Sequence, residues 1–188
     1  ACGAVCVLGL CFWATGAFAQ SSDELAALQS RAVAGESAAQ FALGTRYLNG
    51  EGVAADNFEA LRWFTLAADQ DNANAQYNIA VMYLNGLGVI RDEAEALEWF
   101  LKAANNGDRQ SQFTLGVVMF NGRMGAPQNT AEAYRWFTLA GAGGHQSAAA
   151  NAVLIQELLP PAEVERVQRE VQQWIEEFNS QQAGSPSP

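Results

Sequence analysis

The chain is poor in the residues that carry chemistry. It has one histidine, His145, and one lysine, Lys102. Its three cysteines, Cys2, Cys6 and Cys11, all lie in the first eleven residues. Downstream of them there is no thiol to act as nucleophile or zinc ligand, and no disulfide framework. No serine sits in a Gly-x-Ser-x-Gly turn, and the residue three before Lys102 is Trp99, not serine, so two common nucleophile motifs are missing. The glycine-rich turns lack the lysine and preceding strand of a phosphate-binding loop. Asp69, Asp71 and Asn72 stand close together but lack the central glycine and terminal glutamate of a calcium loop, and they read as solvated. His145 follows a Gly-Gly pair and reads as a junction residue rather than a base. No catalytic residue, metal site or cofactor is expected.

Positive charge is also scarce. Ten basic residues face twenty acidic ones, for a formal net charge of -10. That balance argues against nucleic acid or an anionic membrane as partner, since either needs a cationic surface. The acidic excess reads as solubility. The first nineteen residues carry no charge at all. Within them Val5 to Phe12 is apolar, and Ala17-Phe18-Ala19 is a small-x-small cleavage pattern. Residues 1–19 are therefore expected to be an export signal cut after Ala19, placing the protein in the periplasm or outside the cell. The competing reading is an uncleaved membrane anchor, although Gly9 and Gly16 interrupt the apolar run. Membrane contact is expected only in that case. Leu10 stands where a lipoprotein needs a small residue before Cys11, so lipidation is not expected.

What the chain has instead is a period. From Ser37 it repeats every 36 residues: Gln40, Gln76 and Gln112 fall in register, as do Phe41, Tyr77 and Phe113. Trp63 and Trp99 keep the spacing, and Trp136 follows 37 residues later because the Asn121-Gly122-Arg123-Met124-Gly125 turn carries one extra residue. Such a period marks a stacked solenoid whose units bury their apolar faces only against neighbours. Each unit reads as helix A, a glycine-rich turn and helix B. In the first, helix A spans about Ala38 to Leu48 and stops at Asn49-Gly50, where glycine can take the left-handed conformation. Gly52 turns the chain again, and Val53 is expected to drop into the core. Helix B opens at Asp56, with Glu59 placed to reach back in a capping box; Asp92 with Glu95 and Asn129 with Glu132 repeat the device. The Trp-Phe pairs of helix B supply bulk, while Ala67-Ala68 and Ala103-Ala104 allow close approach.

The ends read as caps. Residues 20–36 form an N-terminal capping helix, a worn half-repeat with Ala27 where helix B would carry Trp. Repeats occupy 37–72, 73–108 and 109–144. Capping helices fill 145–179: one over Gln146 to Leu158, a break at Pro160-Pro161, and an amphipathic helix over Ala162 to Phe178 through Val164, Val167, Val171, Trp174 and Ile175. Residues 180–188 are expected to be a disordered tail. At 188 residues and 49% hydrophobic, the chain can bury such a core unaided. The expected fold is all-α, a right-handed α-solenoid of helix-turn-helix repeats.

The pattern A-x-A-Q-[FY]…Y-L-N-G-x-G-V…D…E-A-L-x-W-F…A-A resembles the Sel1-like repeat, a relative of the tetratricopeptide repeat, over residues 37–144. Tyr47-Leu48-Asn49-Gly50-Glu51-Gly52-Val53 and Tyr83-Leu84-Asn85-Gly86-Leu87-Gly88-Val89 keep the turn in place. The third copy departs from it with Met119-Phe120, the longer turn, Asn129 and Gly141. The resemblance implies adaptor work: exported members scaffold envelope machinery or restrain sensor proteins. A cysteine-rich branch is linked to β-lactam binding and hydrolysis, but its disulfide-stapled repeats have no counterpart here. The resemblance thus implies a non-catalytic scaffold or regulator. The alternatives are a cell-wall or β-lactam protein and a membrane-anchored assembly subunit.

In helix-pair solenoids the A helices line the concave face. Phe41, Thr45 and Leu48 would then stand beside Tyr77, Val81 and Leu84, and beside Phe113, Val117 and Phe120. An aromatic ladder of Phe41, Tyr77 and Phe113, with Asn49, Asn85 and Asn121 to hold a backbone, would suit a peptide or helix of a protein partner. The plainer alternative is that these rings fill space between neighbouring A helices. Tyr47, Tyr83 and the tryptophans read as core.

Overall fold

The structure, a computed structural model, describes residues 23–184; the export segment expected over residues 1–19 and the last four residues of the expected tail lie outside the described residues. Helix α1 covers residues 23–33. It is followed by α2 (Ser37–Asn49), α3 (Asn57–Ala68), α4 (Ala73–Asn85), α5 (Glu93–Asn105), α6 (Arg109–Asn121), α7 (Thr130–Ala142), α8 (Gln146–Gln156) and α9 (Pro161–Gly184). Among the described residues there is no strand. Helices α2, α4 and α6 are the A helices of the three units, and α3, α5 and α7 are their B helices. From α2 to α8 each helix packs on the next along the chain, and α9 packs on α7, giving an all-α solenoid.

Each A helix ends at a glycine. Gly50, Gly86 and Gly122 hold φ of 74°, 70° and 62°, and their N–H groups donate to Arg46, Met82 and Val118 O. That left-handed residue closes the last turn without the strain a Cβ would bring. In the first unit Gly50 and Gly52 both have positive φ, and together they carry the turn along the rim. Val53 is consequently half-buried rather than seated in the core. In the second unit Leu87 packs on the core there, beside Phe64 and Met82.

The B helices are capped, but by half of the expected box. Asp56 Oδ1 accepts from the Phe58 and Glu59 amides at 2.9 and 3.1 Å, and Asp92 does the same for Ala94 and Glu95. Asn129 Oδ1 accepts from Glu132 N at 3.1 Å. The reciprocal bond is missing because the cap residue's own amide is taken. Asp56 N donates to Tyr47 O, Asp92 N to Tyr83 O and Asn129 N to Met119 O, at 2.9, 3.0 and 2.8 Å. The glutamates turn elsewhere: Glu59 and Glu132 pair with Arg62 and Arg135, and Glu95 accepts from Trp99 Nε1 at 2.9 Å.

Phe64, Phe100 and Phe137 are the bulk of the core, at most 2% exposed, and alanines such as Ala60, Ala96 and Ala133 are sealed beside them. Successive units are joined by a buried amide. Gln40, Gln76 and Gln112 sit near the start of each A helix at 5%, 3% and 3% exposure. Each Nε2 donates to the last turn of the helix before it: to Ala32 O at 3.2 Å, Ala68 O at 3.2 Å and Ala104 O at 3.0 Å. Because Ala32 O is used like Ala68 O and Ala104 O, α1 occupies the place of a helix B. Leu25 and Leu28 pack it against Leu43 and Trp63.

The C-terminal joint is made differently. Counting 37 residues on from Gln112 leads to Ala149 on α8, which has no amide to offer. Opposite it Gly141 brings the two backbones together: a Cβ at Gly141 would lie 3.0 Å from Ala149 Cα. This explains the glycine that replaces the repeat's alanine. Helix α9 then turns back across α7. Val167 and Val171 are buried there, and Gln168 Nε2 donates to Tyr134 Oη, which donates to Gln156 Oε1. The helix runs on past Phe178, so residues 180–184 are helical rather than the start of a tail. Pairs four apart support it: Gln172 with Glu176 and Gln173 with Glu177, each at 2.8 Å. No helix among the described residues is long and apolar enough to cross a membrane.

Two outcomes follow from this wiring. Gln76→Leu should cost about 1–2 kcal/mol in urea denaturation, because it removes the bond to Ala68 O and takes from Asn106 Nδ2 its acceptor on Gln76 Oε1. Asp92→Ala should cost about 1–2 kcal/mol, whereas Glu132→Ala should cost under about 0.5, since that glutamate holds only a surface ion pair.

Candidate interaction site

Every residue expected on the A-helix face lies on α2, α4 or α6, at matching heights, but the side chains are not equally available. Phe41, Tyr77 and Phe113 are half-buried. Each leans on the phenylalanine of helix B in its own unit, with centroids 5.8, 5.9 and 5.7 Å from Phe64, Phe100 and Phe137. The tilted geometry is the favourable one for aromatic pairs. Phe113 also stacks on His145 at 4.4 Å and 14°. The rings therefore join the two layers of each unit. Burial, and then the Asp108 carboxylate, push the Tyr77 phenol above its ordinary range.

Beside the rings, Thr45 Oγ1 donates to Phe41 O at 3.0 Å, one turn back on its own helix. Val81 and Val117 pack partly buried against the core. The asparagines are exposed, but each amide is engaged: Asn85 and Asn121 Nδ2 donate to Val81 O and Val117 O at 2.8 Å, and Asn49 Nδ2 to Glu51 Oε1 at 2.8 Å. Tyr47 and Tyr83 are half-buried against the core clusters rather than fully within them.

A defined groove forms at one end of this face. Val117, Phe120 and Asn121 of α6 make one wall, Asn151, Leu154 and Leu158 the other, and Phe137 and Ile155 complete the lining; its volume is about 350 Å³. It carries no charged side chain. Leu154 and Leu158 are 65% and 64% exposed. Of the residues expected at the site, the structure brings Val117 and Asn121 into this groove; the others line the face toward α2. Leu154 and Leu158 were missed because α8 lacks the Asn-Gly turn. The signal was present nonetheless: 37 residues back, they align with Val117 and Asn121.

The remaining candidates are structural. His145 Nδ1 accepts from Ala148 N at 3.2 Å and so caps α8, while its ring lies on Phe113. Asn72 caps α4, and Asp71 accepts from Asn106 Nδ2 at 3.3 Å. Among the described residues no group of three or more His, Cys, Asp or Glu could hold a metal ion. The double role of Phe113 has a measurable consequence. In denaturant titrations Phe113→Ala should cost about 0.5–1.5 kcal/mol more than Phe41→Ala, which loses only one ring partner.

A family model for the Sel1 repeat matches residues 37–72, 73–108 and 109–145. A solved Sel1 repeat protein from Oxalobacter formigenes is 35% identical with a TM-score of 0.64, over 69% of this chain and 96% of that one. A protective antigen present in uropathogenic Escherichia coli strains, displaying an SLR fold, is 24% identical with a TM-score of 0.49, over 86% of this chain and 44% of that one. No curated protein matches the chain. Three matched repeats spanning more than half of the sequence, each with its glycine turn and its buried glutamine, place the chain in the Sel1 repeat family.

Proposed function

We propose that this protein is an exported, non-catalytic interaction scaffold of the bacterial periplasm. Its role is to hold an apolar helix or extended segment of a protein partner in the groove between α6 and α8. The observation that carries the reading is the exposed pair Leu154 and Leu158, facing Val117 and Phe120 in a groove without charge. Water-exposed leucines over an apolar floor gain most from an apolar partner. Asn151 at the edge offers an amide group to a backbone, the usual division between apolar anchor and polar rim. The resemblance to adaptor proteins supports the class of function. The uncharged segment ending in Ala17-Phe18-Ala19 supports export. The scarcity of nucleophiles and the capping role of His145 support the absence of chemistry.

Crosslinked co-purification from the native envelope tests this. Leu154→Asp/Leu158→Asp should keep its helical circular dichroism, because both side chains are largely in solvent, and should lose the partner captured by the native protein. Equal capture by both proteins would place the binding surface elsewhere. The exported protein should begin at Gln20 by N-terminal sequencing; a protein retaining the apolar segment would be an anchored subunit.

A further inference from the structure

The buried glutamine of each unit has two ends. In the first two units both are satisfied. Gln40 Oε1 accepts from Gln70 Nε2 at 2.8 Å, and Gln76 Oε1 accepts from Asn106 Nδ2 at 2.9 Å. The donors use their second hydrogen nearby: Gln70 on Gly35 O at 3.1 Å, and Asn106 on Asp71 Oδ1 at 3.3 Å. In the third unit the position of Gln70 and Asn106 is held by Gly143, which has no side chain. Gln112 Nε2 is fixed on Ala104 O, so the oxygen end is set as Oε1, and among the described residues no side-chain amide is hydrogen-bonded to it as Gln70 and Asn106 are in the earlier units.

The Gln112 side chain borders a cavity. Gln112 is 3% exposed and lines a space of about 270 Å³ with Leu139, Gly143, Trp174, Phe178 and the Gly107 turn. One unit earlier the same place is polar, lined by Asp71, Lys102, Asn105 and Asn106. Their counterparts here are Gly107, Leu139, Ala142 and Gly143. The rings of α9 roof the space: Trp174 and Phe178 stack at 4.8 Å and 10°, and a Cβ at Gly107 would lie 2.5 Å from Phe178. Four polar groups of the earlier site, Asp71, Lys102, Asn105 and Asn106, have thus been replaced by small or apolar ones, and Asn179 of α9 joins Gln112 as an amide on the lining. At the mouth Arg109 Nη1 donates to Gly143 O at 2.6 Å, and its guanidinium has further N–H groups to offer.

We propose that this cavity is a binding site for a neutral primary carboxamide on a short apolar stem. The amide N–H₂ meets Gln112 Oε1, as Gln70 and Asn106 do in their own units. Its carbonyl accepts from Arg109, and the stem lies against Trp174 and Leu139. An ammonium would face the Arg109 charge, and a carboxylate would set its oxygen against Gln112 Oε1, so the neutral amide is selected over both. The cavity is below the range of roughly 300–1,000 Å³ typical of pockets for drug-sized ligands, which fits an occupant the size of one side chain. Such an amide can come from an asparagine or glutamine of a protein partner or from a free small molecule. The site is separate from the groove between α6 and α8 and does not depend on it.

Three probes of one shape test the chemistry: benzamide, benzoate and benzylamine, titrated into the purified protein and followed by the NMR shifts of the Gln112 side-chain amide and the Gly107 backbone amide. Benzamide should bind saturably, with the charged probes weaker by about tenfold or more. The variant Arg109→Ser/Gly143→Asn carries the first unit's Ser37 and the second unit's Asn106 at these places, and so supplies the missing amide from within. It should melt at a higher temperature than the native protein and lose benzamide binding. Absence of saturable binding, equal response to all three probes, or unchanged benzamide affinity in the double variant would each overturn the site. Acetyl-Ala-Gln-Ala N-methylamide reports the source. Tighter binding than benzamide assigns the site to a protein side chain, weaker binding assigns it to a small amide, and both orders keep the carboxamide chemistry.

Discussion

One hydrogen bond sets the geometry of the stack: the side-chain amide that each unit's glutamine donates to the last turn of the preceding helix B. A helix end leaves carbonyls without partners, and when the next unit covers that end they are cut off from water. Ala68 O and Ala104 O each accept from an amide of their own turn, Asp71 N and Gly107 N, and Gln76 and Gln112 add the bond that comes from the next unit. The bond is directional, so it fixes spacing and rotation where apolar packing alone would allow sliding. The alanines around it, sealed at 0% exposure at Ala67, Ala103 and Ala104, let the backbones come close enough for the glutamine to reach. Where no glutamine is available, at α7 and α8, the chain makes the joint by direct backbone approach at Gly141 instead. The two solutions are alternatives, and that difference separates the repeated part of the molecule from its cap.

The consequence for function is a division between a rigid frame and a small number of places that can be varied. The phenylalanines of the B helices and the rings of the A helices hold the two layers of each unit together. Substitutions there change stability before they change recognition. On the A-helix face Asn85 and Asn121 are tied to their own helices, and Asn49 to Glu51 in the turn. The proposed recognition sites lie toward the C-terminal end, where the third unit and its cap depart from the pattern: Leu154 and Leu158 stand in the register of Val117 and Asn121, and glycine and alanine replace polar residues around Gln112. Specialisation of this kind costs the repeat little, because each unit touches only its neighbours.

Much of this was readable in the sequence because it is local. The period, the helix boundaries, the glycine ends and the cap residues at Asp56, Asp92 and Asn129 depend on neighbours within a few positions. The misreadings have a common cause, which is contact between distant residues. Glu59 and Glu95 look like partners of a capping box, yet the amides they would serve are already held by Tyr47 O and Tyr83 O, across the turn. The ladder of Phe41, Tyr77 and Phe113 was placed on the right helices, but a linear pattern does not tell which way a ring leans. The register of Gln40, Gln76 and Gln112 was visible, while the role of their two ends was not, since the acceptor lies eight residues earlier and one partner about thirty later. The groove residues on α8 were hidden by the loss of the Asn-Gly motif used to recognise a unit.

The longer turn of the third unit shows where the architecture is elastic. Its extra residue is absorbed between Gly122 and Gln128, with Met124 and Gly125 at positive φ and open space around Gly125. Downstream of it, Asn129 N still reaches Met119 O at 2.8 Å, the bond that Asp56 and Asp92 make in the shorter turns. Helix B is therefore docked by its cap rather than positioned by the length of the connection before it. The loop is a slack tether between two anchored points. A lineage of such proteins can lengthen it, or decorate it with a new surface feature, without re-timing the phase of the helices on either side.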